Sequence, residues 1–184
     1  MQLRFLGAAE TVTGSRFLLE TSNLAVLIDC GLFQGNRELR QRNWTPFSIH
    51  PNNIDAVLLT HAHIDHSGYL PALVKQGYKG LIHATEATYE LCKIMLLDSA
   101  HLQEEDAKFA NKHGYSRHKP AEPLYTIEDA EKALAQFEPH PFNTPFALSP
   151  DFSVEFLEAG HILGASIIRI KADNKTIVFS GDLG

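Results

Sequence analysis

Short apolar runs broken by glycine and asparagine open the chain. Leu3 to Leu6, Arg16 to Glu20 and Ala25 to Ile28 are rich in β-favouring residues and are punctuated by Gly7, Gly14 and Asn23, which predicts a twisted β-meander. A polar stretch from Asn36 to Asn43 has room for a short helix. Asp55 to Thr60 then carries the continuous run Ala56, Val57, Leu58, Leu59, the pattern of a strand buried on both faces. Gly68 to Gln76 predicts a short helix, and Leu81 with Ile82 another strand. Glu86 to about His113 predicts a long amphipathic helix, N-capped by Thr85 and packed through Leu91, Ile94, Met95 and Leu102. Thr126, Ile127, Glu128, Asp129 forms a capping box with Asp in place of Glu or Gln and opens a helix to about Phe137. Ser153 to Leu157, Ser166 to Ile170 and Thr176 to Phe179 predict three more strands. Tyr115 to Tyr125, with Pro120 and Pro123, and Pro139 to Pro150 read as loops. Strands alternating with helices give an α/β (α+β) layout with a mixed sheet flanked by helices.

Composition narrows this picture without redirecting it. The 184 residues, 44% hydrophobic, are enough for one sizeable core and resemble an ordinary globular domain. A formal net charge of -6 argues against a surface that itself gathers nucleic acid or acidic membrane, which normally needs a concentrated basic face. Cys30 and Cys92 are too few for a disulfide framework and lack CxxC spacing, so they read as reduced thiols and point to the cytoplasm. The N-terminus has no signal-peptide pattern, and no run approaches the ~18 apolar residues of a membrane span.

The chemistry is concentrated at four places. His61, His63, Asp65 and His66 fall within six residues where the buried strand should end. Alternate side chains of an extended segment point the same way, so His61 and His63 can grip one ion while the following turn sends Asp65 and His66 toward a second. Imidazole nitrogen and carboxylate oxygen suit zinc, with manganese or iron where oxygen donors weigh more. His161 stands between Gly160 and Gly164 after a strand-like run and is the best-placed further nitrogen donor. Asp182 leaves the end of the last strand, and Asp29 leaves the end of the third, where it serves either turn amides or the orientation of a metal-bound histidine. His83, near the end of a neighbouring strand, is a candidate for a site-adjacent role. Arg37, Arg40 and Arg42 read as a solvated helix face rather than a phosphate site.

The motif HxHxDH of His61 to His66, with His161 and Asp182 in SGD, resembles the metallo-β-lactamase superfamily. DCGLFQG from Asp29 to Gly35, HAHIDHSGYLP from His61 to Pro71, GHILGAS from Gly160 to Ser166 and the terminal SGDLG are similar to its β-CASP branch of RNA-processing nucleases. The resemblance spans nearly the whole chain and implies an αββα sandwich. It further implies that His61, His63 and His161 hold one zinc, that Asp65 and His66 hold the other, that Asp182 bridges them, and that Asp29 supports the site from outside. Two-metal phosphodiester hydrolysis by an activated hydroxide follows from the likeness, with Asp65 and Asp182 steering the attack and RNA as substrate. Residues 1–184 correspond to the N-terminal half of such a fold. The β-CASP insertion, the closing strands and a C-terminal histidine of the second metal site are not among them, so an uncovered edge invites self-association or a complementing chain.

Three readings follow for the chain: a metal-dependent RNA phosphodiesterase, which leads; a metallo-hydrolase of another ester, thioester or lactam; and an inactive metal-binding fragment that needs a partner.

Overall fold

The computed structural model describes residues 1–114, 116 and 118–184. The opening meander forms as expected from three antiparallel strands, β1 (Gln2–Phe5), β2 (Phe17–Glu20) and β3 (Ala25–Ile28). Strands β4 (Ala56–Leu58), β5 (Leu81–Thr85) and β6 (Phe137–His140) then add in parallel, giving a six-stranded mixed sheet in the order β1-β2-β3-β4-β5-β6. A second, antiparallel sheet is ordered β10-β9-β8-β7, from β7 (Phe146–Ser149), β8 (Phe152–Glu158), β9 (Ser166–Ala172) and β10 (Lys175–Phe179).

The helices α1 (Arg37–Arg42), α2 (Ile64–Ser67), α3 (Leu70–Lys75), α4 (Glu86–His113) and α5 (Ile127–Leu134) connect these strands. One face of the first sheet, with Leu27, Val57, Leu59 and Ile82, packs against Leu70, Leu73, Cys92, Leu96 and Ala130 of the helices. Its other face, with Leu19, Val26, Ile28 and Leu58, packs against Phe152, Val154, Phe156, Ile168 and Ile170 of the second sheet. The layers are thus helix, sheet, sheet. Among the described residues, no helix covers the outer face of the second sheet, so three of the four layers of the expected sandwich are seen.

Three expectations need correction. The helix opened by Thr126 keeps its capping box but ends at Leu134, and Phe137–His140 is the parallel edge strand β6. Pro139 lies within that strand, which an edge tolerates because a missing N–H leaves only one side of the ladder unserved. The stretch from Pro139 to Pro150 is not all loop, since β7 lies inside it. On α4 the buried stripe is Thr88, Cys92, Leu96 and Ala100, spaced by four, while Ile94 and Leu102 face outward. The predicted loop from Tyr115 to Tyr125 has no helix or strand where it is described, but Tyr115 and Arg117 lie outside the described residues. No helix among the described residues is long and apolar enough to cross a membrane.

Candidate metal centre

Parallel strands end at the same side of a sheet, and side chains that follow their C-terminal ends converge there. Asp29 follows β3, the run His61 to His66 follows β4, the Gly160–Gly164 loop follows β8 and Asp182 follows β10. The local backbone is shaped for this convergence. Asp29 takes a left-handed conformation, with φ 56°, that Asp adopts more readily than most residues and that turns the chain out of β3. Gly31 lies against α2 so closely that an added Cβ would stand 1.6 Å from Asp65 O. Main-chain bonds complete the contact, from Ser15 N to Asp65 O at 2.9 Å and from Cys30 N to His66 O at 2.7 Å.

The His161 loop is held equally firmly. Gly164 O accepts hydrogen bonds from the Thr85 and Thr88 hydroxyls at 2.7 and 2.9 Å, which pins the loop to the start of α4. Ser166 then donates through both N–H and O–H to Thr60 O, tying β9 to the residue before His61.

Within this frame His61, His63, His161 and Asp182 each present one donor atom, all within 4.8 Å of one another. His63 Nδ1 lies 3.0 Å from His61 Nε2 and 3.2 Å from His161 Nε2. Asp182 Oδ2 stands 3.9 Å from His61 Nε2 and 3.7 Å from His161 Nε2. The other carboxylate oxygen, Oδ1, lies 3.4 Å from His66 Nε2, which is 3.9 Å from Asp65 Oδ2. Asp182 therefore spans two donor groups, His61/His63/His161 and Asp65/His66.

Asp29 sets both groups. Its carboxylate, 1% exposed, can only accept, so His66 donates its Nδ1 proton at 2.8 Å and turns a bare Nε2 toward Asp182. The Thr60 N–H donates to Oδ1 at 2.7 Å, and the Thr60 hydroxyl proton also goes to this carboxylate. That leaves Thr60 Oγ1, 3.0 Å from His61 Nδ1, as acceptor for the His61 ring proton, so His61 likewise turns a bare Nε2 into the cluster. Thr60 was not singled out in the sequence. Its only signal was its position, between a buried strand and the first histidine.

Electrostatics agree with a cation site. Burial, followed by the neighbouring His66, His63 and His161, pushes His61 down to about 3, so its lone pair is free near neutral pH. Burial also works against a charge on His66, but its hydrogen bond to Asp29 and the charges of Asp29, Asp65 and Asp182 outweigh it and raise the pKa. The three carboxylates around His66 thus favour positive charge at this place, be it a proton or a bound ion. Lone pairs and carboxylates aimed at one space are the donor chemistry of divalent ions, and His61, His63, His161 and Asp182 fit one.

His83 is not brought to this cluster. Its ring meets His140 and Phe146 instead, because residue 83 faces the second sheet near the opposite edge of the first. Arg37, Arg40 and Arg42 lie on α1, which buries none of its residues. Beside Asp182 and His66 a pocket of about 350 Å³ opens, lined by Val12, Ser15, Asp29, Thr60 and Ser180 among others.

Comparison with known proteins adds lineage to this geometry. A family model described as the metallo-beta-lactamase superfamily matches residues 11–184. The chain is 39% identical to "Ribonuclease TTHA0252" of Thermus thermophilus over 184 residues, which is all of this chain and 38% of that protein. It is 32% identical to "Transcription termination factor FttA" of Cenarchaeum symbiosum over 189 residues, covering all of this chain and 27% of the relative. It therefore spans 27% to 38% of the length of these relatives. Among solved structures, the metallo-beta-lactamase fold protein YhfI from Bacillus subtilis superposes with a TM-score of 0.60 at 16% identity, over 98% of this chain and 61% of that one.

Proposed function

Since the chain belongs to the metallo-β-lactamase superfamily, we propose that it is the metal-binding portion of an RNA phosphodiesterase of the β-CASP kind. The observation that carries this reading is the split of Asp182, with one oxygen toward His61 and His161 and the other toward His66. A carboxylate so placed would serve both of two bound ions. His61, His63 and His161 would hold one, Asp65 and His66 the other, with Asp182 between; zinc suits the nitrogen-rich group best, and manganese or iron the oxygen-richer one. When bound, such ions make water acidic enough to attack near neutral pH and offset the charge that builds on a phosphodiester.

The chain's own residues supply the rest. Asp29 and Thr60 fix the ring orientations of His66 and His61 and leave their bare nitrogens facing inward. Asp65, on the first turn of α2 and partly open to solvent, would steer the attacking hydroxide together with Asp182. Asp182 is 46% exposed and His161 25%, so an extended phosphodiester can approach from their side, while His61 and His66 form a buried floor. The names of the relatives, a ribonuclease among them, support RNA as substrate. The free, buried Cys30 and Cys92 suit the reducing cytoplasm.

A second reading has its own support. The group nearer His66 offers three protein donors, Asp65, His66 and Asp182, and the edge strand β10 exposes Val178. A complementing segment or chain that adds a donor and covers that edge would then be needed for turnover.

Metal analysis of the purified chain, followed by hydrolysis of 5′-labelled single-stranded RNA by the unaltered protein and by His61→Ala, tests both readings. Turnover lost with His61→Ala supports the phosphodiesterase, and metal binding without turnover supports the second reading. Equal turnover by the two proteins contradicts the assignment.

A further inference from the structure

We propose that His83, Glu138 and His140 form a separate binding site for a zinc-like divalent ion at the margin between the two sheets. None of these residues belongs to the cluster around His61. In the parallel ladder of β5 and β6, His83 stands opposite Glu138 and Thr85 opposite His140. Glu138 and His140 are two apart on one strand, so their side chains share a face. Contacts of both histidines with Phe146 identify that face as the one toward the second sheet.

The geometry is that of a ligand set. His83 Nδ1 lies 2.9 Å from His140 Nε2, Glu138 Oε1 lies 3.7 Å from the same nitrogen, and the three donor atoms fall within 4.8 Å of one another. Donors about 2.0–2.1 Å from a tetrahedral zinc stand roughly 3.3–3.4 Å apart. The observed separations bracket that spacing, and small rotations of the side chains reach it. Two imidazole nitrogens and one carboxylate oxygen form a known zinc donor set and favour zinc, nickel or copper over magnesium or calcium.

The surroundings are built as a metal site requires. His140 stacks on Phe146 with centroids 3.6 Å apart and planes 8° apart, and Phe156 lies 6.1 Å away. An apolar wall from β7 and β8 thus fixes the ring planes and excludes water from one side. Glu138, 48% exposed, closes the other side and leaves an entry path. A simple hydrogen bond between the two histidines has no use for Glu138, whereas an ion uses all three donors. All three donors lie on β5 and β6 of the first sheet, and Phe146 of β7 supplies the apolar wall beside them.

The test measures zinc retained by the chain when both halves of the principal centre are disabled by His61→Ala, His66→Ala and Asp182→Ala. One zinc equivalent is expected to remain, to disappear with His140→Gln, and to bind at least tenfold more weakly with Glu138→Gln, whose exposed position spares the fold. Should the cluster variant fail to fold, Glu138→Gln is compared with the unaltered chain, where it must lower the zinc count at a fixed free zinc concentration. No retained zinc in a natively folded cluster variant, or affinity unchanged by Glu138→Gln, overturns the proposal.

Discussion

Replacing Asp29 by Asn keeps the size of the side chain and removes the one group on which both halves of the metal centre depend. The carboxylate accepts from Thr60 N–H at 2.7 Å, from the Thr60 hydroxyl at 2.9 Å and from His66 Nδ1–H at 2.8 Å. An amide offers one oxygen and a donating NH2, so at least one of these contacts becomes donor against donor in a site that is nearly inaccessible to water. Hydrogen bonds to a charged group contribute about 1.5–3 kcal/mol each. Loss of the outer partner of a ligating histidine lowers metal affinity by ~10–100-fold, which is about 1.4–2.7 kcal/mol. Competition for zinc against a chromophoric chelator reads this directly, and circular dichroism verifies that the variant is folded. A folded Asp29→Asn protein whose zinc affinity lies within a factor of about two of the parent would refute the role given to Asp29, since the expected loss is at least tenfold.

Three further outcomes are expected. Gly31→Ala places a Cβ against Asp65 O and should displace α2, lowering both zinc content and stability by about 1–3 kcal/mol or more; an unchanged melting temperature with full zinc content contradicts this. Burial pushes the thiols of Cys30 and Cys92 up to about 12, so both stay protonated from pH 7 to 9; a thiol reagent should find none in the folded chain and two after denaturation, and ready reaction of the folded protein would count against it. Leu96→Ala, in the buried stripe of α4, should cost about 2–5 kcal/mol in urea unfolding. The exposed Ile94→Ala should stay near 0.5 kcal/mol, and equal costs would mean that α4 is turned differently.

How far the sequence reached depended on the range of the interactions that decide each feature. The run His61 to His66 was legible because a strand, a turn and four donors lie within a few residues, so local periodicity is enough. His161 and Asp182 were candidates only through glycine-flanked positions at strand ends; their convergence rests on Ser166 and Gly164 bonding to residues about 80 to 106 positions away. Thr60 gave no sign of its part, since its role comes from an Asp 31 residues earlier. His83 was expected near the centre because strand order was invisible, and β5 proved to carry it toward Phe146. Strand β6 escaped because Pro139 and the polar Glu138 and His140 disguise an edge strand, and the outward Ile94 and Leu102 on α4 mimicked a packing face whose real stripe begins at Thr88.

The central claim is that His61, His63, His161 and Asp182 hold one divalent ion while Asp65, His66 and Asp182 hold another. Anomalous scattering recorded at the zinc edge from crystals of the zinc-loaded chain tests it most directly. Besides the peak proposed at His83, Glu138 and His140, two are expected, one enclosed by His61 Nε2, His63 Nδ1, His161 Nε2 and Asp182 Oδ2, and a second beside Asp65, His66 Nε2 and Asp182 Oδ1. Density at neither position under saturating zinc, with the fold intact, would contradict the account.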